Sequence, residues 1–244
     1  MFTFNSKIHN SKKVAKLLLV STFALALTAC GDSDNDVPVV VEPPAPAEYS
    51  YRVTLTNLTY AQPLSPFAVL LHGNAQMWML GNSASVPLEE LAEGGDNTNL
   101  MAENNVLVSA ADTGVLMPGT SSSVTISTTD RTATHLTSAT MLVNTNDAFS
   151  GLTGIDISAM AVDESLTWRL NVYDAGTEAN SEAAGTIPGP ADGGTGFDAA
   201  RDDVNFIAYH SGVVSQDDGL ASSVLTQAHR FDNPAIKLTI TRTK

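Results

Sequence analysis

The stretch Ile236-Lys237-Leu238-Thr239-Ile240-Thr241 sets a large aliphatic side chain against a polar one at every step. A helix would scatter these residues around its circumference. An extended chain sends successive side chains to opposite faces, so Ile236, Leu238 and Ile240 line one buried face. Two other stretches repeat the pattern. Val53 and Leu55, with Asn57 on their side, alternate with Thr54 and Thr56; Trp168, Leu170 and Val172 alternate with Thr167, Arg169 and Asn171. Thr and β-branched residues suit a pleated, half-buried surface. Further strands are expected at Phe67–His72, Met77–Leu80, Ser122–Thr128, Ser138–Val143, Gly154–Ser158 and Val204–His210. Helical signal is confined to Leu88–Glu93, introduced by Pro87, and to Thr98–Asn104. Eight or nine strands with one or two short helices indicate an all-β chain folded as an antiparallel β-sandwich, expected over residues 49–244.

Upstream of this region the composition changes. Lys12, Lys13 and Lys16 precede the apolar run Leu17–Leu27, and the run ends in Leu27-Thr28-Ala29-Cys30. The run has the length of a secretory h-region and is short for a bilayer span. Its ending resembles the lipobox of bacterial lipoprotein signals, which implies a signal peptide over residues 1–29 and a lipidated Cys30 as the mature N-terminus. Buried acyl chains supply about 0.8 kcal/mol per methylene, enough in combination for stable anchoring. Gly31, where inner-membrane retention uses Asp, points to the outer membrane. Residues 31–48 hold four Pro, five acids and no large apolar residue other than Val. Such a segment cannot bury enough surface to order itself, so residues 30–48 are expected to be a disordered tether.

Charge and cysteine content narrow the partners. The 244 residues carry 12 Lys+Arg against 26 Asp+Glu, a net charge of −14, and four of the bases precede residue 30. A body this acidic is repelled by phosphate backbones, which excludes nucleic acid. The single Cys excludes a disulfide scaffold and a Cys-rich zinc site.

Several stretches together resemble a known family. Val53-Thr-Leu-Thr-Asn-Leu-Thr59, Gln62-Pro-Leu-Ser-Pro66 and Leu91-Ala-Glu-Gly-Gly-Asp96 are similar to the opening of the spondin N-terminal (F-spondin) domain. Asn146-Asp147-Ala148-Phe149-Ser150-Gly151, Val172-Tyr-Asp-Ala-Gly-Thr-Glu178 and Asn233-Pro234-Ala235 resemble its middle and end. The resemblance spans about residues 51 to 242. It implies an eight-stranded, C2-like antiparallel sandwich of the spondin type, which in animal adhesion and matrix proteins binds one calcium ion. The matched positions are Asp147, Asp174 and Glu178. Animal members usually carry Asp at the third position; Glu178 is one methylene longer. They also carry cysteines and a Trp at the place of Phe149, so their surface recognition does not transfer.

The residues argue for a cation in their own right. The segment Asp174–Asp203 holds seven acids and six Gly against Arg201 alone. Like charges so close repel unless a cation or water screens them, and Ca²⁺ takes six to eight oxygen ligands. A solvated acidic loop is the plainer expectation for the same composition. Gly193-Gly-Thr-Gly-Phe-Asp198 fits the unit of calcium-binding β-rolls, but those need stacked repeats and one copy stands here.

Catalytic motifs are thin. Neither H-E-x-x-H, a G-x-S-x-G elbow nor a P-loop occurs. His210 ends an expected strand beside Ser211 and precedes Asp217-Asp218, which admits a periplasmic or surface hydrolase using His210 with an acid. A strand-end His bonded within its loop is the ordinary alternative. Glu89, Glu90 and Glu93 read as a solvated face of the short helix. The reading that follows is a non-enzymatic, exported lipoprotein, held at the membrane through lipid on Cys30. Its calcium-binding domain presents a surface for adhesion to a protein or glycan; a purely structural envelope role is the third possibility.

Overall fold

A computed structural model describes residues 45–244. The signal peptide, Cys30 and all but the last four residues of the tether lie outside the described residues. The elements, in order, are β1 (Tyr49–Asn57), β2 (Ala68–His72), α1 (Val86–Gly94), α2 (Thr98–Met101), β3 (Val106–Ala111), β4 (Ser121–Thr128) and β5 (His135–Met141). There follow β6 (Ala148–Asp156), β7 (Ser165–Leu170), β8 (Val172–Asp174), β9 (Ala208–Tyr209) and β10 (Ile236–Arg242).

The strands form two antiparallel sheets, one of four strands in the order β4-β1-β10-β7 and one of six in the order β3-β2-β5-β6-β8-β9. In the first, Val53 pairs with Ile240 and Leu55 with Leu238, while Leu238 pairs in turn with Trp168. The register sets Val53, Leu55, Leu238 and Ile240 on one face, where they are fully buried against Val69, Leu71 and Leu136 of the other sheet. Each such side chain contributes about 1.5–3 kcal/mol by leaving water. On the opposite face Thr54 meets Ser123 and Thr167 meets Thr239, hydroxyl to hydroxyl, at 2.7 and 2.9 Å. Alternation in the sequence therefore became the two faces of an outer sheet.

The six-stranded sheet is covered on both sides. Ala68 and Leu70 point away from the inter-sheet core and join Ala139, Phe149 and Trp78 beneath Leu88, Leu91 and Ala92 of α1. That double burial explains the unbroken apolar run of β2. Ser85 caps α1, accepting the Leu88 N–H at 3.4 Å, and Gly95 at φ 69° ends it. Among the described residues no helix is long and apolar enough to cross a membrane.

The two sheets bear out the all-β reading, with differences that have local causes. Among the described residues ten strands stand against an expected eight or nine. The stretch Leu166–Tyr173 is two of them: the chain leaves the four-stranded sheet at Leu170 and enters the six-stranded one at Val172. Met77–Leu80 is loop, because Trp78 packs edge-on to Phe149 at 5.4 Å instead of joining a ladder. Only Ala208–Tyr209 of Val204–His210 is strand. The edge strand β3 escapes pattern recognition, its residues being no more than half-buried. The expected Gly154–Ser158 strand begins earlier, at Ala148.

Candidate functional site

Asp147 ends a tight turn between β5 and β6. The Thr145 hydroxyl donates to the Leu142 carbonyl at 2.6 Å and accepts the Ala148 N–H at 3.1 Å, which fixes the turn. Beyond it, Ala148 pairs with Asp174, the last residue of β8. The Ala175 N–H donates to the Asp147 carbonyl at 3.3 Å. Two of the three expected acids are thus brought side by side from positions far apart in the chain.

The Asp147 carboxylate is wholly buried. Its Oδ2 accepts the N–H groups of Thr177 at 2.8 Å and Glu178 at 3.2 Å, with the Thr177 hydroxyl at 3.3 Å. Its Oδ1 has no hydrogen-bond partner. Burial, and then the charge of Asp174, push Asp147 up to about 7 against the pull of the Thr177 and Glu178 donors. Asp174, 8% exposed, accepts Gly176 N–H on Oδ1 at 2.8 Å and the Asn180 amide on Oδ2 at 2.5 Å.

Glu178 goes elsewhere. Its backbone N–H bonds Asp147, but its carboxylate accepts the Asn146 amide at 3.0 Å and is raised to about 7, by burial first and also by the charges of Glu93, Asp202 and Asp198. The carboxylates of Asp147 and Asp174 form one group, and that of Glu178 belongs to a second. Among the described residues no set of three or more His, Cys, Asp or Glu side chains is arranged to hold a metal ion.

The residues nevertheless suit a hard cation. A buried carboxylate oxygen without a partner costs free energy that a divalent ion recovers, and carboxylates, carbonyls and hydroxyls are the donors calcium takes. Asp147 Oδ1 and the neighbouring Asp174 supply an inner pair, with Glu178 within one loop of them. Calcium there would supply positive charge to two adjacent carboxylates and tie the turn before β6 to the loop after β8.

His210 sits behind this pair, 4% exposed. Its Nδ1 accepts the Gly212 N–H at 2.9 Å, which leaves Nε2 protonated to donate to Asn180 Oδ1 at 3.1 Å. Burial holds the ring below the usual histidine range. His210 therefore reaches Asp174 only through Asn180, with both nitrogens engaged, and Asp218 is bonded to Ser215 and Arg230.

Two of the three helix glutamates are buried, against the expectation of a solvated face. Glu89 and Glu93 are 2% and 1% exposed, while only Glu90 turns outward to Asn99. Glu89 is paired with Arg201, and Glu93 Oε2 accepts the Asp198 N–H at 2.9 Å. The spacing of four residues, flanking Leu88, Leu91 and Ala92, was the available signal. Nor is the acidic loop merely solvated. Asp192 accepts the N–H of Gly185 at 2.6 Å, Asp202 that of Ala179 at 2.8 Å, and Glu182 that of Val214 at 3.0 Å. The carboxylates serve as internal acceptors for a backbone that has little regular structure to satisfy it.

No protein-family model matches the chain, and no curated protein sequence matches it.

Proposed function

We propose that the chain is an exported lipoprotein, anchored through Cys30 to the outer membrane and holding a calcium-dependent recognition domain of the spondin, C2-like type at the end of a Pro- and acid-rich tether. The ion is held by Asp147 and Asp174, with loop carbonyls and water completing the set; Glu178, the expected third ligand, turns its carboxylate to the Asn146 amide instead. The observation that carries this reading is the wholly buried, unpartnered Oδ1 of Asp147 beside the Asp174 carboxylate. Calcium orders the turn at Asp147 against the loop after β8, and that end of the sandwich presents a surface to a protein or glycan.

Calorimetric titration of the purified protein with calcium, paired with thermal melts in calcium and in chelator, tests it. Calcium at one hundred times its dissociation constant for this site should stabilise the fold by about 2.7 kcal/mol, and Asp174→Asn should remove that contribution and the binding equivalent that goes with it. Identical melts in calcium and chelator, with no binding heat, would overturn the reading and leave a structural envelope protein.

A further inference from the structure

The last turn of α1 buries a carboxylate among other carboxylates, with Arg201 the one base in reach. Glu93 is 1% exposed, its Oε2 takes the Asp198 N–H at 2.9 Å, and its Oε1 has no hydrogen-bond partner. A helix C-terminus carries partial negative charge, which disfavours an anion there. Glu89, Asp198 and Glu178 stand around it. The nearest base, Arg201, is spent on Glu89, the Ala84 carbonyl and Asn205. The loop backbone is pressed onto the helix end, since a Cβ on Gly196 would lie 3.2 Å from the Gly94 Cα. Water is thereby squeezed out on one side, while half-buried Glu178 and exposed Asp198 leave the other open.

We propose that Glu93, Glu178 and Asp198, with the Thr177 hydroxyl, form a second site for a hard divalent cation of the calcium class, joining α1 to the loop after β8 and distinct from the Asp147–Asp174 pair. All the donors are oxygens, the preference of calcium over softer metals. Thr177 stands between the two sites, its N–H and hydroxyl both on Asp147 Oδ2, at 2.8 and 3.3 Å, and the hydroxyl oxygen beside Glu93. Closing the second site requires the half-buried Glu178 to rotate and exchange the Asn146 amide for the ion. The proposal does not depend on the Asp147–Asp174 reading, and the two fail separately.

Calcium titration of the full chain by calorimetry, with terbium luminescence as a second count of sites, decides it. Wild type should bind two equivalents. Glu93→Gln and Asp198→Asn should each lose one equivalent or weaken it at least tenfold, and Asp174→Asn should lose the other. Asp198 is exposed, so its variant decides the matter if Glu93→Gln fails to fold. If both Glu93→Gln and Asp198→Asn keep the wild-type count and affinities, the second site is overturned, including where wild type binds a single ion dependent on Asp174. A single ion lost in Glu93→Gln and Asp198→Asn but kept in Asp174→Asn would uphold this site and remove the other.

Discussion

Arg201 places its guanidinium on Glu89 at 2.5 Å, so the one base in the loop between β8 and β9 is spent on a buried acid of α1. The same guanidinium donates to the Ala84 carbonyl at 2.9 Å and to Asn205 at 2.7 Å. One side chain thus holds the loop to the helix start.

Removing Arg201 leaves Glu89 buried and charged without its partner. Breaking such a pair costs about 3 kcal/mol where one partner keeps some exposure. Arg201→Ala should therefore lower the melting temperature by about 6–12 °C and open Gly185–Ala199 to limited proteolysis. Arg201→Lys should recover only part of the loss, since an ammonium cannot span three acceptors with a planar fork. A melt and a protease digest at equal protein concentration check both points.

Asp147 makes stability depend on pH in a direction opposite to an ordinary surface carboxylate. Its folded value of about 7 lies above the ordinary 3.8, so between those limits the folded state holds the extra proton. Stability from this group is full below about pH 4 and is lost as pH rises through 7. His72 and His210, whose values burial lowers, act the other way below pH 6.5. The difference between wild type and Asp147→Asn isolates the aspartate. In chelator the variant should be the more stable protein at pH 8, by several degrees, and the advantage should shrink toward pH 5. Its amide oxygen can take the Thr177 and Glu178 donors while its nitrogen fills the place of the unpartnered oxygen.

Strand alternation was legible because one face of the outer sheet meets water and the other the core. Val53, Leu55, Leu238 and Ile240 announce themselves this way, while β3 and the two-residue β9 do not. Asp147 and Asp174 could be paired from a family resemblance, and the chain does bring them together. The direction of the Glu178 carboxylate could not be read, because it follows from Asn146 and from the docking of α1, both tertiary facts. Glu93 was hidden by a reasonable rule: charged residues on a short helix usually face solvent. That rule failed where a loop without regular structure needed acceptors and covered the helix to find them.

Cys30→Ser should release the protein from the membrane fraction of the producing cell into the soluble exported fraction. The expectation rests on the lysines, the apolar run and Leu27-Thr28-Ala29-Cys30. Fractionation, with mass measurement of the N-terminal peptide, checks it: the wild-type peptide should carry acyl mass on Cys30, and an unmodified Cys30 would refute the anchor.

Gly176 is where the site depends most on an absent side chain. It turns the chain between Asp174 and Thr177 at φ 70°, a region that favours glycine. A Cβ there would also stand 2.3 Å from the Phe206 carbonyl oxygen, and the Asn205 N–H already donates to the Gly176 carbonyl at 2.7 Å. Neither neighbour is a flexible side-chain end that could swing aside, so the backbone itself must move. Gly176→Ala should cost about 2 kcal/mol or more through strain and displacement together. The displacement moves the Thr177 and Glu178 N–H groups off Asp147 Oδ2, so calcium affinity should fall along with the melting temperature. Gly185→Ala serves as the control. Gly185 also has positive φ, yet nothing lies within 4 Å of its Cβ position, so that variant should lose stability through strain alone and keep its calcium affinity.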